Sequence, residues 1–156
     1  MPPQLQAFLQ SLVPLAGAIV VIGLGAVVVF HLYWAAGGRR GAKLVIPTDP
    51  RHDDRPLFHP SALGTLVVAA FLATVVGLAL LVRSGQALVI SADAARIALA
   101  ICGTVFVLRA VGDFRWVGFF KSVRGTPFAR WDDWLFSPFI LVVGLACLAI
   151  AAATLG

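Results

Sequence analysis

The sequence contains no glutamate, only two lysines and few charged residues of any kind. Charged residues make up 12% of its 156 residues, whereas a soluble domain is usually about a quarter charged. Hydrophobic residues make up 60%. A small domain leaves much of its surface exposed, so one water-soluble core cannot enclose this much apolar side chain. The shortage of charge therefore excludes an ordinary soluble domain and indicates a membrane protein.

Cysteine is also scarce. Cys102 and Cys147 lie in separate apolar segments and form neither a Cys-x-x-Cys motif nor a spacing typical of metal ligands. If the two thiols meet near the membrane midplane they could form a redox pair, but packing as small buried residues is the simpler interpretation. The acids are all Asp, and ten of the twelve basic residues are Arg, a bias typical of a GC-rich bacterial genome.

Four apolar segments reach or approach the length of about 20 residues that crosses a bilayer. They span residues 12–36, 61–82, 92–111 and 138–155. We therefore predict an all-α fold, a single domain of residues 1–156 in which four transmembrane helices form a bundle.

Local signals support two helix starts and one packing face. Ser91 is a typical N-cap for the third helix, and Ser137-Pro138 predicts the start of the fourth, with a capping hydroxyl followed by proline in the first turn. A small-residue stripe on the second helix should allow another helix to approach closely. It comprises Ala69, Ala73 and Gly77.

Basic residues concentrate on one side of the predicted bundle. Most lie in loops 37–60 and 112–137, whereas the opposite side has only Arg83 and Arg96. Positive loops remain in the cytoplasm, so we expect both loops inside and both termini outside the inner (plasma) membrane. The net charge of +5 fits this arrangement. No basic helix or aromatic sheet motif indicates nucleic-acid binding.

Four ionisable residues form a candidate polar cluster at the cytoplasmic ends of the spans: His31, Arg109, Asp113 and Asp132. An imidazole beside a carboxylate can act as a general acid or base, and Arg109 can hold an anionic group. The structural alternative pairs Arg109 with Asp113, one helical turn away, and bonds His31 to a neighbouring helix.

Aromatic and basic residues alternate beside these positions. The candidate headgroup-binding residues are Trp34, Arg115, Trp116, Lys121, Arg124, Arg130 and Trp131. They suit either a specific anionic ligand, such as a lipid headgroup or prenyl phosphate, or a general interfacial anchor on anionic phospholipid at the cytoplasmic face.

The first loop has possible metal ligands in His52, Asp53, Asp54 and His59. Their spacing matches no common metal site, and the loop is rich in proline. A solvated linker is the preferred interpretation, and we predict neither a metal nor a cofactor.

Two segments together resemble a known family. HLYWAAGG, at 31–38, and the long third-loop segment 108–138 are similar to the bacterial multi-pass membrane family of unknown function DUF3995. The positions that carry the resemblance are His31, Tyr33, Trp34, Gly37, Gly38, Arg109, Gly112, Asp113, Arg115, Gly118, Phe119, Thr126, Phe128, Asp132 and Pro138. The resemblance implies a membrane location and no established reaction.

The leading functional hypothesis is a non-catalytic membrane component or small partner subunit, associated with the lipid bilayer and with a protein partner or a second copy. The alternative is a binding protein or enzyme for an anionic amphiphile, with a cytoplasmic-side pocket around His31, Arg109 and Asp113. A transporter fits less well, because the sequence shows no pair of broken helices and no midplane charge.

Overall fold

A computed structural model describes residues 2–52, 55–85 and 90–153. Within these ranges the chain forms five helices and one minimal hairpin. The helices are α1 (Pro3–Ala35), α2 (Ala42–Val45), α3 (Ala62–Ser84), α4 (Ala92–Val111) and α5 (Pro127–Ala153). The strands β1 (Thr48–Asp49) and β2 (Arg55–Pro56) pair antiparallel in the first loop.

Four of these helices, α1, α3, α4 and α5, are long and apolar enough to cross a membrane. Their outward faces carry large apolar side chains; Ile22 and Leu63 are each 72% exposed. Such faces are stable when lipid is the solvent, because every backbone polar group is satisfied inside the helix. The predicted all-α bundle of four transmembrane helices is confirmed, and the side on which the termini lie stays a prediction.

The bundle closes around one apolar core. Helix α5 packs along α4 and against the first half of α1, while the second half of α1 packs on α3. Val20, Val75, Leu99, Val143 and Ile150 are fully buried where these helices meet. The core cluster is entirely apolar, so the charged side chains of the protein lie outside it.

A close helix–helix approach joins Gly103 of α4 to Gly144 of α5. A Cβ atom added to either glycine would lie 2.9 Å from the carbonyl oxygen of the other. Small residues drive helix association in lipid, because backbones that approach closely gain van der Waals contact. The predicted stripe on α3 does not play this part: Ala69 is buried, but Ala73 and Gly77 are exposed.

Two helix ends follow their sequence signals. The glycines at the end of α1 form a Schellman motif, in which the Gly38 N–H donates to the Tyr33 carbonyl (2.9 Å) and the Gly37 N–H to the Trp34 carbonyl (3.0 Å). At the start of α4, the Ser91 hydroxyl accepts a hydrogen bond from the Ala94 N–H at 3.2 Å, as predicted.

The predicted start of the fourth helix at Ser137-Pro138 is wrong. Helix α5 begins at Pro127, and the Thr126 hydroxyl accepts the capping hydrogen bond from the Ala129 N–H at 3.0 Å. Ser137 is fully buried inside the helix. Asp132–Phe136 forms a π-helical turn just before Pro138, and this wider turn accommodates a ring that would disrupt a regular α-helix. A hydroxyl residue followed by proline thus occurs twice, at Thr126-Pro127 and at Ser137-Pro138, and Thr126 is the residue that caps the helix.

Gly103→Val should separate α4 from α5, because the added side chain has no room at the crossing. We expect a loss of about 1–3 kcal/mol in the free energy of unfolding, the usual cost of overpacking. The free energy of unfolding is measured by titration with SDS, with circular dichroism as the readout. Gly77→Val is the matched control, since an added Cβ there meets nothing within 4 Å. Equal losses in the two variants would contradict the crossing.

Candidate functional site

The loop after α4 turns back on the helix through two glycines. Gly112 and Gly118 have φ of +101° and +86°, and a side chain on either would overlap the backbone of the other. The Phe119 N–H donates to the Ala110 carbonyl at 2.8 Å. The chain therefore leaves α4 and returns to its last turn within a few residues.

Asp113 stabilises this turn from within. Its Oδ1 atom accepts hydrogen bonds from the backbone N–H groups of Arg115 (2.9 Å), Trp116 (2.6 Å) and Val117 (3.0 Å). Partial burial acts to raise the pKa of Asp113, but the hydrogen bonds from these N–H groups outweigh it, so the pKa lies below the usual value of 3.8. Asp113 is therefore a structural anion of the turn.

Asp132, at the start of the π turn, is fully buried. Its Oδ1 accepts a hydrogen bond from Arg109 Nη2 at 2.9 Å, while Oδ2 accepts from the Gly118 N–H at 2.8 Å and from Lys121 Nζ at 3.0 Å. This carboxylate thus joins the end of α4, the turn from Gly112 to Gly118, which we name the glycine turn, and α5.

Lys121 is 2% exposed and is the largest fully buried side chain in the described structure. Its ammonium donates to the Gly118 carbonyl (3.0 Å), to Asp132 and, through a short contact, to Asp133 Oδ1. An ammonium has three protons, so all of them have acceptors.

Arg124 completes the arrangement from the surface. It donates to Asp133 Oδ2 and to the Phe119 carbonyl, each at 3.2 Å. The ionic network is defined by these five residues: Arg109, Lys121, Arg124, Asp132 and Asp133. It contains three cations and two carboxylates, and every carboxylate has at least two donors.

The predicted polar cluster is only partly assembled. Arg109 meets Asp132, not Asp113 as the structural alternative expected. The His31 Nδ1 atom pairs with the Val27 carbonyl of its own helix at 2.8 Å, and its ring meets Trp34 edge-on at 5.4 Å. Asp133 was not among the predicted site residues. The adjacent acids Asp132-Asp133 were the available signal, because two neighbouring carboxylates require cations.

The predicted headgroup-binding residues fall into three groups. Arg115, Arg124, Arg130 and Trp131 are exposed, Trp34 and Trp116 are half-buried, and Lys121 is buried. Arg115 lies over the Trp116 ring, 5.1 Å from its centroid. Lys121 differs from expectation because the two carboxylates and the Gly118 carbonyl hold its ammonium inside the protein.

The first loop packs onto the same end of the bundle. Trp34 Nε1 donates to the Arg40 carbonyl at 2.9 Å, and the Arg40 N–H donates to the Tyr33 hydroxyl at 3.3 Å. Helix α2 then packs against the first residues of α5. Residues 36–52, 55–61 and 112–133 lie at this end of the bundle, and we name them the loop face.

Other candidate sites remain without a ligand set. His52 Nδ1 pairs with Asp49 Oδ2 at 2.9 Å, and Asp53 and Asp54 lie outside the described residues. Across the described ranges, no group of three or more His, Cys, Asp and Glu is placed to hold a metal. Cys102 and Cys147 are free thiols. Gly103, next to Cys102, packs directly against Cys147.

Lys121→Met should remove the central cation and leave two carboxylates undercompensated. Breaking a buried ion pair costs about 3–5 kcal/mol in the free energy of unfolding, which SDS titration measures. Arg124→Gln is the matched control, because that Arg is 58% exposed and its pair with Asp133 is worth under about 1 kcal/mol. A Lys121→Met protein as stable as the control would contradict the network.

The glycine turn should loosen at acid pH. Because the pKa of Asp113 is lowered on folding, its contribution is complete above the unfolded pKa and is lost as pH falls through the folded pKa. The amide ¹⁵N shift of Trp116 in detergent should therefore titrate with a midpoint below 3.8. Asp113→Ala should abolish the titration; a midpoint above 3.8 in the wild type would refute the assignment.

Comparison with known proteins gives one result. No curated protein and no solved structure is similar enough to this chain to count as a match. A family model described as protein of unknown function (DUF3995) matches residues 24–147. That range covers well over half of the chain, from the second half of α1 to within two turns of the end of α5. The chain is a member of the DUF3995 family.

Proposed function

We propose that the protein is a non-catalytic membrane component that acts as a small partner subunit. The observation that carries this proposal is that the two fully buried members of the ionic network, Asp132 and Lys121, are engaged with each other and with neighbouring groups. Asp132 accepts hydrogen bonds from three donors, and Lys121 uses all three protons. A general acid or base must instead exchange a proton with a substrate within hydrogen-bond reach.

The shape of the bundle supports the same proposal. Two open grooves lie on its surface: one of about 250 Å³ between α1 and α5 with an apolar lining, and one of about 390 Å³ between α4 and α5 whose lining is apolar except for Arg96. Neither is lined by a residue of the ionic network. A substrate pocket normally combines an apolar cavity with a few convergent polar groups, whereas here the polar groups converge on one another.

The proposed setting is the inner membrane of a bacterium, with the loop face in the cytoplasm and both termini outside. Exposed cations without an ion-pair partner among the described residues support this orientation: Arg39, Arg40, Lys43, Arg51, Arg55, Arg115 and Arg130. At the other end, Arg96 pairs with Asp93 at 3.0 Å, and Arg83 is the one such exposed cation among the described residues. Such an excess of cations is typical of cytoplasmic loops.

A second function, binding of an anionic amphiphile, has one specific observation in its favour. Arg109 Nη1 is buried and has no hydrogen-bond partner among the described residues, while Nη2 is bonded to Asp132. A buried guanidinium nitrogen without a partner is costly and suits an anionic oxygen. His31 and Asp113 do not contribute, since their hydrogen bonds are made to the backbone.

Native mass spectrometry of the protein extracted with its own membrane separates the two functions. The subunit proposal expects a stoichiometric protein partner, or a second copy, that persists in Arg109→Lys, which can retain the ion pair with Asp132. A monomer that carries one amphiphile, lost in Arg109→Lys but kept in Arg96→Lys at the opposite end, would replace the subunit proposal with amphiphile binding.

A further inference from the structure

Two exposed cations from distant parts of the sequence lie on helical segments that touch. Lys43 belongs to α2, and Arg130 belongs to the first turns of α5, against which α2 packs. Both side chains are exposed, and neither has an ion-pair partner in the part of the chain that the structure describes. The fold thus places these two cations on segments in contact, and no described carboxylate forms an ion pair with either.

The nearby carboxylates are already engaged. Asp132 and Asp133 are held by the ionic network. Asp49 accepts hydrogen bonds from the Arg51 N–H and from His52, at 2.9 Å each. The pKa of Asp49 is lowered by these hydrogen bonds, that from Arg51 first, so it stays ionised in its own turn. Lys43 and Arg130 are therefore open to an anion from outside the described chain.

We propose that Lys43 and Arg130 bind the phosphate of an anionic phospholipid, where α2 meets the start of α5. The inference goes beyond the subunit proposal and takes only one point from it, that the loop face meets the cytoplasmic leaflet of the membrane. Two cations on separate segments can contact one phosphodiester from two sides, whereas a zwitterionic headgroup brings its own cation and gains less. The site thus selects headgroups that lack an amine.

Exposed aromatic residues indicate that the anion comes from the membrane. Trp131, next to Arg130, is 44% exposed, and Trp134 is 87% exposed one turn further along α5. Indole rings concentrate at the level of the lipid headgroups, because they combine an apolar surface with one polar group. Arg130 stands at the loop-side end of this pair, where phosphates of the same leaflet are within reach.

The backbone around the site is held in place. Arg40 leads into α2, and its carbonyl and N–H bind Trp34 and the Tyr33 hydroxyl. On the other side, the Thr126 hydroxyl caps α5. Both segments are thus fixed before a lipid arrives, so binding does not have to order them first.

The test reconstitutes the full chain in nanodiscs of phosphatidylcholine with a minor fraction of phosphatidylglycerol, and native mass spectrometry counts the retained lipids. Wild type should retain phosphatidylglycerol in preference to phosphatidylcholine. Lys43→Gln and Arg130→Gln should each weaken this retention about fivefold, the value of one cation near the surface. Arg55→Gln is the matched control, because it removes an exposed cation of the same loop, in β2, that has no ion-pair partner among the described residues.

The outcomes are distinct. Retention that survives in Arg55→Gln and falls in the other two variants supports the site. Equal losses in all three variants would mean diffuse attraction to a positive surface and would overturn it, as would equal retention of the two lipids. Nanodiscs contain no partner protein, so failure here leaves the subunit proposal standing.

Discussion

Lys121 places an ammonium group where water hardly reaches, and the loop face is built to neutralise it. Removing a charge from water costs several kcal/mol unless oppositely charged and hydrogen-bonding groups surround it. Asp132, Asp133 and the Gly118 carbonyl supply them. Meeting this requirement fixes the glycine turn, because Gly118 must present its carbonyl to Lys121 and its N–H to Asp132. It also fixes the start of α5, which carries both carboxylates.

The remainder of the bundle depends on a different interaction. Lipid tails are as apolar as the helix surfaces, so the hydrophobic effect does not drive the helices together. Close contact between helices does, and at the Gly103–Gly144 crossing the two backbones leave no room for a Cβ atom. The protein therefore combines a membrane part stabilised by van der Waals packing with a loop face stabilised by charge, and Arg109 at the end of α4 connects the two.

The sequence was sufficient for features that depend on local chemistry. Length and hydropathy predicted four transmembrane helices, and the Ser91 cap and the glycines after α1 follow known rules. The sequence did not reveal which charged residues of different segments form ion pairs. Arg109 and Asp132 are 23 residues apart, and either could have had other partners. The exposed stripe at Ala73 and Gly77 shows the same limit, since a sequence does not tell which small residues face a helix and which face lipid.

The order of synthesis gives the ionic network one more consequence. All of its members lie between residues 109 and 133, so α4, the glycine turn and the first turns of α5 are sufficient to form it. The second half of the chain can therefore supply the partners of Lys121 without waiting for contacts with α1 or α3. Until Asp132 and Asp133 have been synthesised, those partners are missing and Lys121 remains a hydrated cation. The same residue is thus a solvated charge early in synthesis and the centre of the folded loop face afterwards.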